Sequence, residues 1–191
     1  EVLGPPPTSG TRDAFAELAL EGGAREISDI QTLRDMGADQ KSEIEAMVAK
    51  LGIENAWAAA VASKGESAKG KDVVKIIGRS VREDGAYIEA GENDNLIINK
   101  LVANSSAFGI FGFSFLDQNS DMVQGATIDG QQPTFDSIST GEYRVSRALF
   151  FYVKKAHIGT VPGIEEFLNA FISKDTIGED GYLLDRGLIP L

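Results

Sequence analysis

The chain has 191 residues, 42% of them hydrophobic, and carries 18 Lys and Arg against 29 Asp and Glu for a net charge of -11. That balance argues against nucleic acid and anionic membrane surfaces as partners, because both repel an acidic protein. Cysteine is absent and histidine occurs once, which removes disulfides, thiolate zinc and thiol nucleophiles together. No apolar run approaches the roughly 18 residues of a membrane helix.

In chain order, the first stretch with chemistry in it is GPPPTSGTRDAFAEL, residues 4–18. Pro5, Pro6 and Pro7 hold the backbone extended and deliver it stiffly to Thr8. Ser9 is a favoured N-cap, and Ala14, Phe15, Leu18 and Ala19 repeat at helical spacing up to a stop at Gly22 and Gly23. The first N–H groups of such a helix have no intrahelical partner and its dipole is positive there, so this end attracts an anion. Gly10 leaves room for close approach, Ser9 and Thr11 offer hydroxyls, and Arg12 offers a planar fork of donors suited to phosphate oxygens. The same residues also fit an ordinary capping sequence with Arg12 as a first-turn surface residue.

Helices are expected over 28–36 and 40–51, the second with Ile44, Met47, Val48 and Leu51 on one face. Trp57 sits in an alanine-rich helical run and is expected in the core, whereas 63–71 reads as an exposed, lysine-rich loop. The run DVVKIIGRSV from Asp72 is apolar and fits helix or strand, and is read as helix. Residues 87–89 form a short strand that Gly91 breaks, and Glu92 or Asn93 caps a helix carrying Leu96, Ile97 and Leu101. An acidic residue in that loop is placed to hold an arginine such as Arg12 or Arg82. Residues 107–116 read as a buried strand turning into a short helix, with core phenylalanines. A strand over 123–128, a turn at Asp129-Gly130, a short helix opened by Pro133 and Thr134 and closed by Gly141, a strand over 147–155 and a helix over 163–173 follow. The tail from Gly181 holds only short apolar pieces.

Catalytic signatures are missing. His157 stands alone and reads as a surface or structural residue, there is no Gly-x-Ser-x-Gly elbow, and neither a phosphate-binding Walker loop, a dinucleotide fingerprint nor a metal motif occurs. A binding protein without cofactor or metal is expected, and a phosphate-ester hydrolase is the weaker reading.

Taken in order, PPPTSGTRDAFAEL, DGAYIEAGENDNLI, AFGIFGFSFLDQN, ATIDGQQPTFDSISTGEYRVSRALFFYVK and GYLLDRGLIPL resemble the periplasmic phosphate-binding proteins of bacterial ABC importers. The Ser-Gly-Thr loop and residues 129–154 carry the resemblance most specifically; the region between about Gly22 and Val81 matches loosely. The resemblance implies an α/β class II periplasmic-binding-protein-like fold, a mixed sheet flanked by helices in each of two hinged lobes that close over one dehydrated phosphate. It implies an extracytoplasmic, periplasmic location and a membrane permease as partner. Ser9, Gly10 and Thr11 match the phosphate-binding Ser-Gly-Thr, and Arg12 matches the arginine that follows it in a subset of relatives. Many relatives place that arginine four residues before the serine, where this chain has Pro5. Thr8, Asn93 and Asp94 border the cleft.

The first lobe of such receptors comes mainly from sequence that would precede Glu1. The chain is therefore expected to hold the complete second lobe over 1–145, with 146–191 supplying a hinge-crossing strand and C-terminal elements of the first lobe. Phe150, Tyr152, Phe167 and Phe171 would then be exposed, which favours self-association. The alternative is a fragment or divergent relative that binds no phosphate and acts as a protein-interaction module.

Overall fold

Three short strands, β1 (Val2–Gly4), β2 (Tyr87–Glu89) and β3 (Phe108–Gly109), pair in the order β2-β1-β3 in the computed structural model, which describes residues 1–178 and 180–190. Val2 sits opposite Tyr87 and Phe108, and Gly4 opposite Glu89, all in parallel register. The expected mixed sheet is parallel across these three strands, and one antiparallel bridge, Ile128 with Gln131, stands apart. The chain divides into two compact units, Glu1–Asn93 with Ser106–Ile110 and Asp94–Ser105 with Phe111–Leu191. Of the second unit, Glu179 and Leu191, the last residue of the apolar tail, lie outside the described residues.

In the first unit, helix α1 (Gly10–Phe15) runs without a break into a π-helical stretch, Ala16–Glu21, and a further turn, α2 (Gly22–Ala24). Helices α3 (Ser28–Asp35), α4 (Lys41–Leu51), α5 (Glu54–Lys64) and α6 (Gly70–Arg79) follow. Their apolar faces close one core of Ile30, Leu33, Ile44, Val48, Trp57, Ala60, Val73 and Val74, with α6 packed on α3, α5 and the π-helical stretch. Burying each large aliphatic side chain here stabilises the fold by about 1.5–3 kcal/mol. Trp57 is buried as expected, its Nε1 donating to Glu45 Oε1 at 3.5 Å. The loop expected over 63–71 is shorter: α5 runs to Lys64, Gly65–Ser67 form a 3-10 turn, Ala68 is buried and α6 begins at Gly70. Local polarity gave the wrong picture because Ala68 joins the buried core and Gly70 packs against the end of α3.

The expected helix stop at Gly22-Gly23 is overrun by one turn, and the reason is Glu21. Its side chain is buried between Arg25 and Arg79, with Arg79 Nε 3.2 Å from Oε2, while Arg79 also reaches Glu17 at 3.2 Å. Gly78 lets α6 approach closely, since a Cβ there would lie 2.7 Å from Glu21 Cα. Burial alone raises the Glu21 carboxyl, but the hydrogen bonds from Arg25 and Arg79 outweigh it and hold the carboxyl below its ordinary 4.5. A lowered carboxyl contributes stability that is present above pH 4.5 and is lost as pH falls through its native value. Glu21→Gln should therefore cost about 1–3 kcal/mol at pH 7. The gap to wild type in urea unfolding should close in acid, and a gap independent of pH would refute the ion-pair account.

The second unit contains α7 (Asp94–Ala103), which buries Ile97 and Ile98, then α8 (Phe113–Gln118), α9 (Phe135–Ser139), α10 (Ile164–Phe171) and α11 (Lys174–Ile177). Asp129 and Gly130 both have positive φ, 52° and 81°, and close the turn anticipated there. Thr134 caps α9 reciprocally with Ser137, and Gly141, at φ 76°, follows its end. Three expectations fail. No strand forms over 123–128 beyond the single bridge at Ile128, and none forms over 147–155, where Leu149, Phe150 and Tyr152 are exposed by 70%, 73% and 85%. Strand propensity there is a fit to neighbouring strands, and no neighbour stands beside either segment among the described residues. Phe151 instead stacks on Phe171 at 4.4 Å and leans on Phe167 at 6.0 Å. The phenylalanines of 107–116 are not core either, since Phe108 is exposed and Phe111, Phe113 and Phe115 are half-buried.

Candidate functional site

The loop after β1 and the first turn of α1 bring together Thr8, Ser9, Gly10, Thr11 and Arg12 in sequence. Ser9 has extended backbone (φ -85°, ψ 131°), and its Oγ accepts the Thr11 N–H at 3.2 Å. Its carbonyl accepts from Asp13 N–H at 3.2 Å, which starts the helix, and its own N–H donates to Pro6 at 3.0 Å. This is the N-cap read from the sequence. Gly10 is exposed and adds no side chain of its own at the helix start. Thr8 donates its hydroxyl to Glu92 Oε1 at 2.6 Å.

Arg12 is held from two directions. Its Nη1 lies 3.1 Å from Glu89 Oε1, and its Cζ stands 4.7 Å from the centre of the Tyr87 ring, leaving the side chain 17% exposed. The Tyr87 hydroxyl donates to the Pro5 carbonyl at 2.9 Å. Burial pushes this phenol up, against the pull of Arg12, so it remains a donor through neutral pH. The parallel register explains the convergence: β1 and β2 end side by side, and loops leaving the carboxyl ends of adjacent parallel strands line one crevice.

Asn93 is exposed in the loop after β2, in the same unit as the Ser9 loop. Asp94 opens α7 in the second unit, where its carboxylate accepts the Gly112 N–H at 3.2 Å. Burial raises this carboxyl, partly offset by that N–H. An acid does hold Arg12, as foreseen, but it is Glu89 and not the loop at 92–94. Arg82 pairs instead with Asp84, Nε to Oδ1 at 2.8 Å, which with the Ala86 N–H brings the exposed Asp84 carboxyl down to about 2. Tyr87 and Glu89 were legible only as strand residues. The clue available in advance was that a strand followed by a glycine loop would lie beside the strand that feeds the Ser9 loop.

Chemically the arrangement offers a helix N-terminus, small hydroxyls and a guanidinium of which one nitrogen is committed to a carboxylate. Among the described residues no group of three or more His, Asp or Glu could hold a metal ion. No helix is long and apolar enough to cross a membrane among them.

A family model described as PBP superfamily domain matches residues 1–175. The chain is 31% identical over 85 residues to "Phosphate-binding protein PstS" of Staphylococcus haemolyticus (strain JCSC1435), an alignment covering 42% of this chain and 27% of that protein. It is 29% identical over 92 residues to the protein of the same description from Staphylococcus epidermidis (strain ATCC 12228 / FDA PCI 1200), covering 46% and 28%. The chain thus spans little more than a quarter of the length of these curated relatives in alignment. No solved structure matches it.

Proposed function

The chain belongs to the PBP superfamily, and from that premise we propose that it binds inorganic phosphate as part of the solute-binding component of an ABC importer outside the cytoplasm. The observation carrying this reading is the Ser9-capped helix start beside a guanidinium fixed by Glu89 and Tyr87. Ser9 and Thr11 supply hydroxyl donors at the helix start, and Arg12 supplies the nitrogens it does not spend on Glu89. Thr8 and Asn93, in the same unit as the Ser9 loop, flank the proposed site. The reading needs no bond-making chemistry, and the partner downstream is a membrane permease. The net charge of -11 does not oppose it, because short hydrogen bonds act at contact range while distant surface charges are screened within about 8–10 Å.

Amide NMR during a phosphate titration, with sulfate as the control, tests it. Saturable shifts at Gly10 and Thr11 with phosphate and not with sulfate are the expected result. A spectrum indifferent to millimolar phosphate would refute it.

A second reading, a protein-interaction module, is favoured by the exposed apolar run Leu149, Phe150 and Tyr152 beside Phe167. Self-association through this run should appear in sedimentation velocity as a mass that rises with concentration and that Phe150→Ser with Tyr152→Ser reduces to the monomer. A wild-type monomer at all concentrations would dismiss that reading.

A further inference from the structure

Three contacts converge on Tyr87, a residue with no charge to offer an anion. Its hydroxyl is tied to the Pro5 carbonyl at 2.9 Å, its ring lies under the Arg12 guanidinium at 4.7 Å, and its phenol end closes over Gly4, where a Cβ would lie 2.2 Å from the hydroxyl oxygen. Pro5 and Gly4 are both buried, so the phenol ties β2 to the rigid segment that leads into Ser9.

We propose that Tyr87 is a positioning residue for the phosphate site: its ring holds the Arg12 guanidinium from one side while Glu89 holds it from another. The inference rests on the phosphate reading above. A guanidinium on a flexible stem has many rotamers, and an anion that must order it loses affinity in doing so. A ring on one side and a carboxylate at one nitrogen together leave few rotamers, so the guanidinium is ordered before the ligand arrives. The carboxylate alone would leave the plane free to swing about the Nη1–Oε1 contact. The ring supplies the missing restraint without adding negative charge where an anion must enter. Gly4 is the small residue that makes room for this arrangement, and β-sheet register brings Tyr87 there.

The test is a double-mutant cycle with inorganic phosphate as the titrant, read by amide NMR. Tyr87→Leu should weaken phosphate binding about 5- to 10-fold in the wild-type background and by less than about 2-fold when Arg12 is already alanine, because the two residues act as one unit. Tyr87→Trp keeps an aromatic face and should restore most of the affinity lost in Tyr87→Leu. An equal loss in both backgrounds would mean that Tyr87 merely supports the fold, and would overturn the proposal. Should Tyr87→Leu fail to fold, wild type alone decides: Arg12 side-chain protons lying over the ring must show an upfield ring-current shift, and ordinary values would overturn the clamp. If wild type shows that shift but ignores phosphate, the clamp stands as geometry and the phosphate reading, with the role proposed here, falls.

Discussion

Replacing Arg12 with alanine is expected to weaken phosphate binding by about 10- to 100-fold, the equivalent of the roughly 1.5–3 kcal/mol that a hydrogen bond to a charged group contributes. Two effects act in the same direction. The ligand loses charge-assisted donors, and Glu89, 3.1 Å from Arg12 in the wild type, is left as an uncompensated negative charge beside the entering anion. Arg12→Lys should recover only part of the loss. An ammonium can face either Glu89 or the ligand as a point charge, and it lacks the planar, delocalised group that sits over the Tyr87 ring. Removing Glu89 as well, in Arg12→Ala with Glu89→Gln, should recover affinity relative to Arg12→Ala alone, which separates the repulsion from the lost donors. The measurement is the phosphate dissociation constant at fixed ionic strength, with unfolding in urea as a check that the fold is intact. Unchanged affinity in Arg12→Ala would remove the guanidinium from the site.

The two halves of this site differ in how readable they are. Ser9, Gly10, Thr11 and the helix they open obey local rules, because a cap, a glycine and an amphipathic spacing act within a few residues. Tyr87 and Glu89 obey none, since Glu89 meets Arg12 across 77 positions and only parallel pairing of β1 with β2 brings them together. The same division runs through the fold. Helices α3, α4 and α6 were readable because each carries its own apolar stripe, α5 because its alanine-rich run favours helix, and the turn at Asp129-Gly130 because both residues tolerate positive φ. The π-helical stretch was not, because it answers to Arg79 on α6, 58 residues away from Glu21. The segment 147–155 shows the opposite error: its β-branched and aromatic content describes a strand that fits between neighbours, and a segment without neighbours remains irregular whatever its composition.

Gly70→Ala is expected to destabilise the first unit by about 3 kcal/mol or more, the upper end of what overpacking a close contact costs. Gly70 is the first residue of α6 and is buried against the end of α3. A Cβ there would lie 1.6 Å from the Leu33 carbonyl oxygen and 2.7 Å from its carbon, and both are backbone atoms that cannot rotate aside. Relief would require α6 to move away from α3. That movement is opposed by the Gly70 N–H, which donates to the Met36 carbonyl at 3.1 Å, and by Leu33, Val73 and Val74, which are fully buried in the shared core. Every route to relief therefore breaks a hydrogen bond or opens a cavity in the core. Gly23→Ala is the matched control: it lies in the short helix α2, has open space around its Cβ position and no positive φ, and should be neutral or stabilising by up to about 1 kcal/mol through helix propensity. Urea midpoints of the two variants should fall on opposite sides of, or at and far below, the wild type. Equal midpoints for Gly70→Ala and Gly23→Ala would mean that α3 and α6 are not held in contact at Gly70, and that the helical core tolerates a separation which its packing here does not allow.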